Sequence, residues 1–454
     1  MTTPRYPTGC PAGSQAPGDA SGCRLAANPD NAWIVNFNHG NVNNNHRDNN
    51  ARVRAVRVAS APPRECQGVT FRELYRALQA ARRGKKPSAN QLGFTADWGT
   101  GLIELQQQLS AGTWSPRPTT SFVATRPKAR EIHAPDFADR VVHHWLVPQL
   151  EAIYEPAFIA DSFANRRGKG THAAVDRLRT FVRQVHSGQG GGWYLQLDVH
   201  NFFNAIHRPT LWRLLKPRLQ RAGLPMVAQR ATHALLRQDL ATTGCRVRAT
   251  AAELALVPSH KRLANAPAGF GLPIGNLSSQ FFANVYLDQL DQFVKHTLKA
   301  RRYLRYVDDF ILVHHDRAEL QAWQAQIEGF LAARLQLRLK ADIRLRRLTD
   351  GVDFLGYVVY PTHTRVRPRV IRHATAALRD WQREHVRPGA LVATPAQLRA
   401  VQASWASYRG HLRHAATHRL QARIGSQFPW LASAARPRRF APALEATTLR
   451  IPTA

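Results

Sequence analysis

Apolar and polar positions follow two different rhythms along this chain, and the changes of rhythm mark its elements. From about Thr70 the segment FRELYRALQAARRGKK repeats apolar residues every three to four positions, which predicts a helix that must stop before Pro87. A second helical stretch over 98–113 closes at Gly112. Residues 119–133 switch to a two-residue alternation and predict a strand pair. The helical rhythm returns in FADRVVHHWLVPQLEAIYE (137–155), where Pro148 is expected to kink the helix or end a turn. THAAVDRLRTFVRQVH predicts a further helix, stopped by GQGGG, and WYLQLDV after it predicts a strand. Residues 209–240 read helical and basic, strands and helices then alternate to about Tyr360, and the last 94 residues read mainly helical. The fold class expected is α+β.

Composition changes this picture at the ends and in the choice of partner. A chain of 454 residues is long enough for about three domains. Residues 1–27 are rich in Pro, Gly, Ser and Ala and predict disorder; the leader so defined runs to about residue 60 and ends in RVRAVRV, a predicted strand. The 63 Lys and Arg against 30 Asp and Glu leave a net charge of +33, which attracts polyanions and favours nucleic acid as partner. No apolar run reaches 18 residues and no hydrophobic signal segment opens the chain, so a membrane partner is not expected. The four cysteines lack CxxC spacing, which disfavours zinc and disulfides and makes a reducing cytoplasmic location, bacterial or phage-encoded, the expectation.

Three segments carry candidate chemistry. YLRYVDDFILVHH sets Asp308 and Asp309 between two β-type apolar runs, the pattern of a hairpin with both carboxylates at its tip. Such a pair repels itself unless a divalent cation neutralises it. WYLQLDVHNFFNAIH ends a strand in Asp198, a third carboxylate, followed by Phe202 and Phe203, one of which is expected to pack. Three carboxylates on two strands are what two-metal phosphoryl transfer requires, with Mg²⁺ the first choice of ion and Mn²⁺ the alternative. GLPIGNLSSQ, a glycine-bounded turn leading into an amphipathic helix, lets backbone near Gly275 approach a nucleotide closely. His200, His207, His314 and His315 read as surface or phosphate-facing residues.

The order LDVHNFF, IGNLSSQ, YVDD, DGVDFLGYVVY resembles the palm of reverse transcriptases, and TRPKAREI, ADRVVHHWLVPQLEAIYEPAF and DSFANRRGKGTHAAV resemble the fingers of the bacterial, group II intron-like enzymes. The resemblance covers roughly residues 66–425 and implies a right-hand polymerase. Its expected parts are a leader (1–60), fingers (61–190), a palm with an antiparallel sheet (191–360, with a finger-type helical insertion at about 209–265), a helical thumb (361–430) and a basic tail (431–454). It implies Asp198, Asp308 and Asp309 as metal-binding catalytic residues, with Val199 lending a backbone carbonyl. It further implies Lys128 and Arg130 as the triphosphate clamp, and Phe203 as the aromatic that excludes a 2′-hydroxyl. Asp353–Tyr357 (DFLGY) is the implied primer-positioning turn, and WASYRGHLRHAATHRL the implied duplex-riding helix. Template RNA, a cDNA primer duplex and dNTPs are the implied partners.

Departures from the common pattern narrow the resemblance. Most members carry Gln where Ile274 stands and Pro where Gln280 stands. IGNLSSQ resembles reverse transcriptases of diversity-generating retroelements, which miscopy adenines of a template-repeat RNA and typically need a small basic accessory protein. With Gly275, Ile274 and Gln280 complete the expected dNTP pocket; an isoleucine offers shape but no hydrogen bond, which weakens discrimination. The lysine expected beyond the catalytic hairpin is blurred: Lys340 is available, but Asp342 stands nearer the usual place, so no general acid is assigned. Ten of the seventeen Asn lie between Asn28 and Asn50, against the grain of an Arg- and Ala-rich chain with nine Lys; this block reads as translated template repeat. An intron-encoded, retron or phage-defence reverse transcriptase is the alternative, and a non-catalytic RNA-binding protein the reading from another class.

Overall fold

The computed structural model describes residues 31–36, 41–46, 68–84, 86–125, 128–240, 244–388, 390–431 and 447–450. Two compact units divide at Cys66 and Gln67. In the first, β1 (Asn31–Asn36) and β2 (Asn41–His46) pair as an antiparallel hairpin inside the Asn-rich block. The rest of the leader, including the strand expected at RVRAVRV, lies outside the described residues.

The second unit opens with α1 (Phe71–Arg82), α2 (Ala89–Ala96) and α3 (Trp98–Ala111). The helix expected from about Thr70 is capped by Thr70 through a reciprocal box with Glu73, and Gly112 ends α3, as expected, in the left-handed conformation. The predicted strand pair is β3 (Thr119–Ala124) and β4 (Arg130–Ala134). Then come α4 (Phe137–Tyr154) and α5 (Thr171–Gln189). Helix α4 runs on through Pro148: burial of Val141, Leu146 and Leu150 outweighs the one backbone hydrogen bond the proline forgoes.

Strand β5 (Trp193–Asp198) follows, then α6 (Phe202–Ala205), α7 (Arg208–Arg221) and α8 (Met226–Arg237). The expected insertion is not purely helical. Its β6 (Cys245–Val247) pairs parallel with β3, so it is tied into the β4-β3-β6 sheet before the short α9 (Ala251–Ala255). Helix α10 (Leu277–Gln292) leads to β7 (Tyr303–Tyr306), β8 (Asp309–His314), α11 (Arg317–Leu335) and β9 (Arg344–Arg347).

The central sheet has the order β7-β8-β5-β9, with every neighbouring pair antiparallel. Both its faces are covered, so β8 reads as a continuous apolar run rather than an alternation. Leu195, Leu197, Phe310 and Leu312 face one core with α1, α3, α4, α7, α8, α10 and α11. Tyr194, Ile311 and Val313 face a second core, built from α5 and the remaining elements. Those are the sheet β10 (Val352–Phe354), β11 (Tyr357–Val359) and β12 (Thr364–Val366), and the helices α12 (Pro368–His385), α13 (Pro395–Leu412) and α14 (His418–Gln427). The C-terminal region, expected to be mainly helical, also carries a sheet: β13 (Val386–Arg387), β14 (Ala390–Ala393) and β15 (Thr447–Arg450). Strand β15 falls within the expected basic tail; the rest of that tail past Leu431 lies outside the described residues.

Candidate active site

Side chains two apart on a strand share a face, which places Tyr194, Gln196 and Asp198 together on β5. Asp309 is directly opposite Asp198 in the β5–β8 register, so these two carboxylates meet at the same end of the same face. The β7–β8 turn sits one residue earlier than expected: Tyr306 pairs with Asp309, leaving Val307 and Asp308 as its tip and Asp309 as the first residue of β8. Val307 has φ 57°, an uncommon conformation for a β-branched residue and one that costs about 1–3 kcal/mol. The Val199 N–H donates to the Asp308 carbonyl at 3.3 Å and pins the turn against the end of β5.

What surrounds these carboxylates is crowding. Burial pushes the Asp309 carboxyl up to about 7, the Gln196 amide offsets this in part, and Asp198 and Asp308 add repulsion. Burial and the charge of Asp198 push Asp308 up to about 6, opposed by Lys340. The Gln196 Nε2 donates to Asp309 at 3.1 Å. One oxygen of Asp198, Oδ1, is buried with no hydrogen-bond partner, while the other is held by the Lys340 ammonium. Lys340 gets there because its backbone N–H donates to the Asp198 carbonyl at 2.8 Å. The register of this segment thus separates the two sequence candidates: Lys340 pairs with Asp198, while Asp342 stands farther along the same cavity and pairs with Arg344.

Two adjoining cavities, of about 500 and 490 Å³, share Asp309, Lys340, Lys261 and Leu355. The first gathers Arg130, Phe203, Ile274, Gly275, Gln280 and Asp308. The second gathers Lys128, Asp198 and Asp353. Phe202 is buried in the core and Phe203 half-buried, so the pair splits as expected. Of the predicted site residues, Val199 alone lines neither cavity; it is fully buried beneath the turn. Gly275 has φ 119°, and a Cβ there would stand 2.9 Å from Ile132 and 3.1 Å from the His133 carbonyl. The same loop is fastened to β4 by the His133 N–H donating to the Ile274 carbonyl at 2.8 Å.

Several contributors escaped the sequence reading. Gln196 was legible in principle, two residues before Asp198 on the same strand face. Lys261 had no local signal, since it comes from the insertion; its neighbour Leu263 is tied to β4 by donating its N–H to buried Glu131 at 2.8 Å. Three of the chain's nine lysines, Lys128, Lys261 and Lys340, line the second cavity. On the opposite sheet face Arg305 forms a buried bidentate ion pair with Asp291 and donates to the Val307 carbonyl at 2.8 Å, bracing the strained turn from behind. Leu355 and Gly356, both with positive φ, make the two-residue turn of the expected primer-positioning hairpin, and Asp353 pairs with Arg367.

Among the described residues, no three His, Cys, Asp or Glu side chains stand in a ready-made metal-binding group, and Asp198 is paired with Lys340. The donor set nonetheless suits a hard divalent cation: three carboxylates, two of them pushed up by burial and by one another's charge, and an orphaned oxygen on the third.

Strand-borne carboxylates beside cation-lined cavities are the layout of a nucleotidyl-transferring polymerase. The family model for reverse transcriptase (RNA-dependent DNA polymerase) matches residues 121–359, just over half of the chain. Protein YkfC of Escherichia coli K12 is 22% identical over 288 residues, 56% of this chain and 69% of its own length. The group II intron-encoded protein LtrA of Lactococcus lactis subsp. cremoris is 25% identical over 229 residues, 50% of this chain and 33% of its own. Among solved structures, apo telomerase from Candida tropicalis superposes with a TM-score of 0.41 at 11% identity over 60% of each chain. Telomerase from Candida albicans does so with 0.37 at 11%, over 58% of this chain and 51% of that one. The chain belongs to the reverse transcriptase family, and the activity that membership carries is RNA-directed DNA synthesis. Members of this family normally use divalent metal ions. Among the described residues no helix is long and apolar enough to cross a membrane.

Proposed function

We propose that the protein extends a DNA primer on an RNA template at Asp198, Asp308 and Asp309. In the same proposal it errs at template adenines, as the polymerase of a diversity-generating retroelement. The observation that carries the second clause is the position of Ile274 and Gln280 in the same cavity as Asp308 and Asp309. Where most relatives place an amide beside the incoming nucleotide, this pocket has an aliphatic side chain, which reads shape and not hydrogen-bond pattern.

In this reading Arg130 and Lys128 bind the triphosphate, the guanidinium by a two-pronged contact and the ammonium as a point charge. Phe203 lies under the sugar and excludes a 2′-hydroxyl. Gly275 lets backbone approach the nucleotide. Asp198, Asp308 and Asp309, with the Val199 backbone, would hold two Mg²⁺ ions, or Mn²⁺ in their place. When bound, such ions supply activation of the primer hydroxyl and neutralisation of the pyrophosphate leaving group. Lys340 holds one oxygen of Asp198 in the meantime. The template-repeat RNA and a small basic accessory protein complete the expected assembly, with Asn28–Asn50 read as translated template repeat.

Primer extension on RNA with Mg²⁺ and dNTPs tests the first clause: activity is expected, and Asp308→Asn should abolish it while leaving RNA binding intact. Full activity in that variant would sink the assignment. Sequencing of the products tests the second clause, since equal error at all four template bases contradicts it. A second reading, an intron-encoded reverse transcriptase, is favoured by the similarity to LtrA. It expects faithful copying, and it expects no adenine-differing near-copy of the Asn-rich segment in the gene neighbourhood.

A further inference from the structure

Away from the catalytic turn, a third cavity of about 500 Å³ opens between α5, the C-terminal end of α13 and the β11–β12 turn. Arg179 and Arg183 stand one helical turn apart on α5, and Arg413 and His414 face them from the end of α13. His363 and Thr364 close the third side, and Asp176 is the one carboxylate in the lining. None of these residues lines the two catalytic cavities.

The donors of this cavity are under-used. Thr364 is 4% exposed, and its hydroxyl has no hydrogen-bond partner. The Arg179 Nε and the His363 Nε2 are also buried without partners. Arg179 spends its other end on the His414 carbonyl at 3.1 Å and on Asp176 at 3.2 Å. The side chains of Arg183 and Arg413 make no ion pair among the described residues. Buried polar groups without partners destabilise the fold until a ligand satisfies them. Three guanidiniums against one carboxylate leave the basin positive. An oxyanion with several acceptor oxygens would satisfy both, and guanidinium geometry suits phosphate in particular.

We propose that this basin binds a phosphodiester of a nucleic-acid strand, as an anchoring site separate from the polymerase cavities. A strand fits better than a free ion for two reasons on this face. Exposed Arg183 and Arg413 extend the positive surface beyond the pocket. Beside it, Tyr360 and His363 stack with ring centroids 4.7 Å apart at 11°, and the exposed Arg365 guanidinium stands 5.3 Å from the Tyr360 centroid, so aromatic rings and a further cation adjoin the basin.

The test is binding of a fluorescein-labelled single-stranded RNA to the full-length protein across a salt series, with thermal melting to confirm each fold. Arg183→Ala/Arg413→Ala should weaken binding about tenfold and flatten the salt slope by about 1.4, the loss of two phosphate contacts to a single strand. Thr364→Val, which keeps shape and removes the hydroxyl, should weaken binding about two- to fivefold. The control Arg72→Ala/Arg76→Ala removes the same charge from the exposed face of α1 and should leave affinity close to wild type. Turnover on a saturating, pre-annealed primer–template should be unchanged in Thr364→Val and in the control. The proposal is overturned if the Arg183/Arg413 variant binds no more weakly than the control. It is equally overturned if inorganic phosphate raises the melting temperature of wild type but not of that variant while RNA affinity is the same in both.

Discussion

The two faces of the central sheet treat their buried carboxylates in opposite ways. On one face Asp291 receives two hydrogen bonds from Arg305 Nε, one from Arg305 Nη2 and one from the Tyr303 hydroxyl at 2.6 Å. Its charge is matched, and the pair serves to brace the Val307 turn. On the other face Asp198, Asp308 and Asp309 share Lys340 and the Gln196 amide, and two of the three sit well above the ordinary carboxylate range. A cluster that evolution wanted only for stability would resemble the first face. On the second face the carboxylates crowd one another and, among the described residues, Lys340 is the one cation that touches them, although further cations line the cavities; perturbed carboxyls of this kind are what a functional site collects.

The largest expected effect follows from that contrast. Asp308→Asn should lower primer extension by about 10³-fold or more, on the scale of removing a preorganised charge-stabilising group, with the fold retained in circular dichroism. Next, Arg305→Met should destabilise the fold by about 3–5 kcal/mol in denaturant titrations, because Asp291 is then buried unpaired; Arg305→Met/Asp291→Leu should recover much of the loss. If the single and double variants cost the same, the bracing pair is not an electrostatic unit.

The pH dependence of stability sharpens the comparison further. The folded Asp309 carboxyl titrates at about 7 against an ordinary value of 3.8. The folded state therefore retains a proton that the unfolded chain releases. The stability from that proton is fully present below about pH 4 and is lost as pH rises through about 7. Asp139 and Asp288, pushed up to about 6 by burial, add a similar background slope, so the difference between two proteins is the quantity to measure. Without divalent metal at pH 7.5, Asp309→Asn should be more stable than wild type by about 1–3 kcal/mol, and the gap should shrink as pH falls from about 7 to about 4 and on adding Mg²⁺. A gap independent of pH would break the contrast between the faces. The smallest effect expected is Ile274→Gln, which should lower misincorporation at template adenine by about an order of magnitude at most, read by product sequencing.

Much of this was legible in the chain itself. Apolar β-type runs, with the glycine-rich breaker before the first, located β5 and the β7–β8 hairpin, and with them Asp198, Asp308 and Asp309, because short apolar runs and a like-charge pair are local signals. Thr70 and Gly112 marked helix ends for the same reason. Motif order supplied Lys128, Arg130, Phe203, Ile274, Gly275 and Gln280, and all six line the cavities around the carboxylates. What local pattern could not decide was anything set by register or by burial between distant segments. Pairing of the Lys340 backbone with Asp198 chose Lys340 over Asp342. Packing carried α4 through Pro148. The parallel pairing of β6 with β3, and the hydrogen bond from Leu263 to Glu131, hold the insertion where Lys261 reaches the site. The partners in these contacts lie tens to more than a hundred residues apart, and their energies come from burial and charge neutralisation that exist only once the chain has folded.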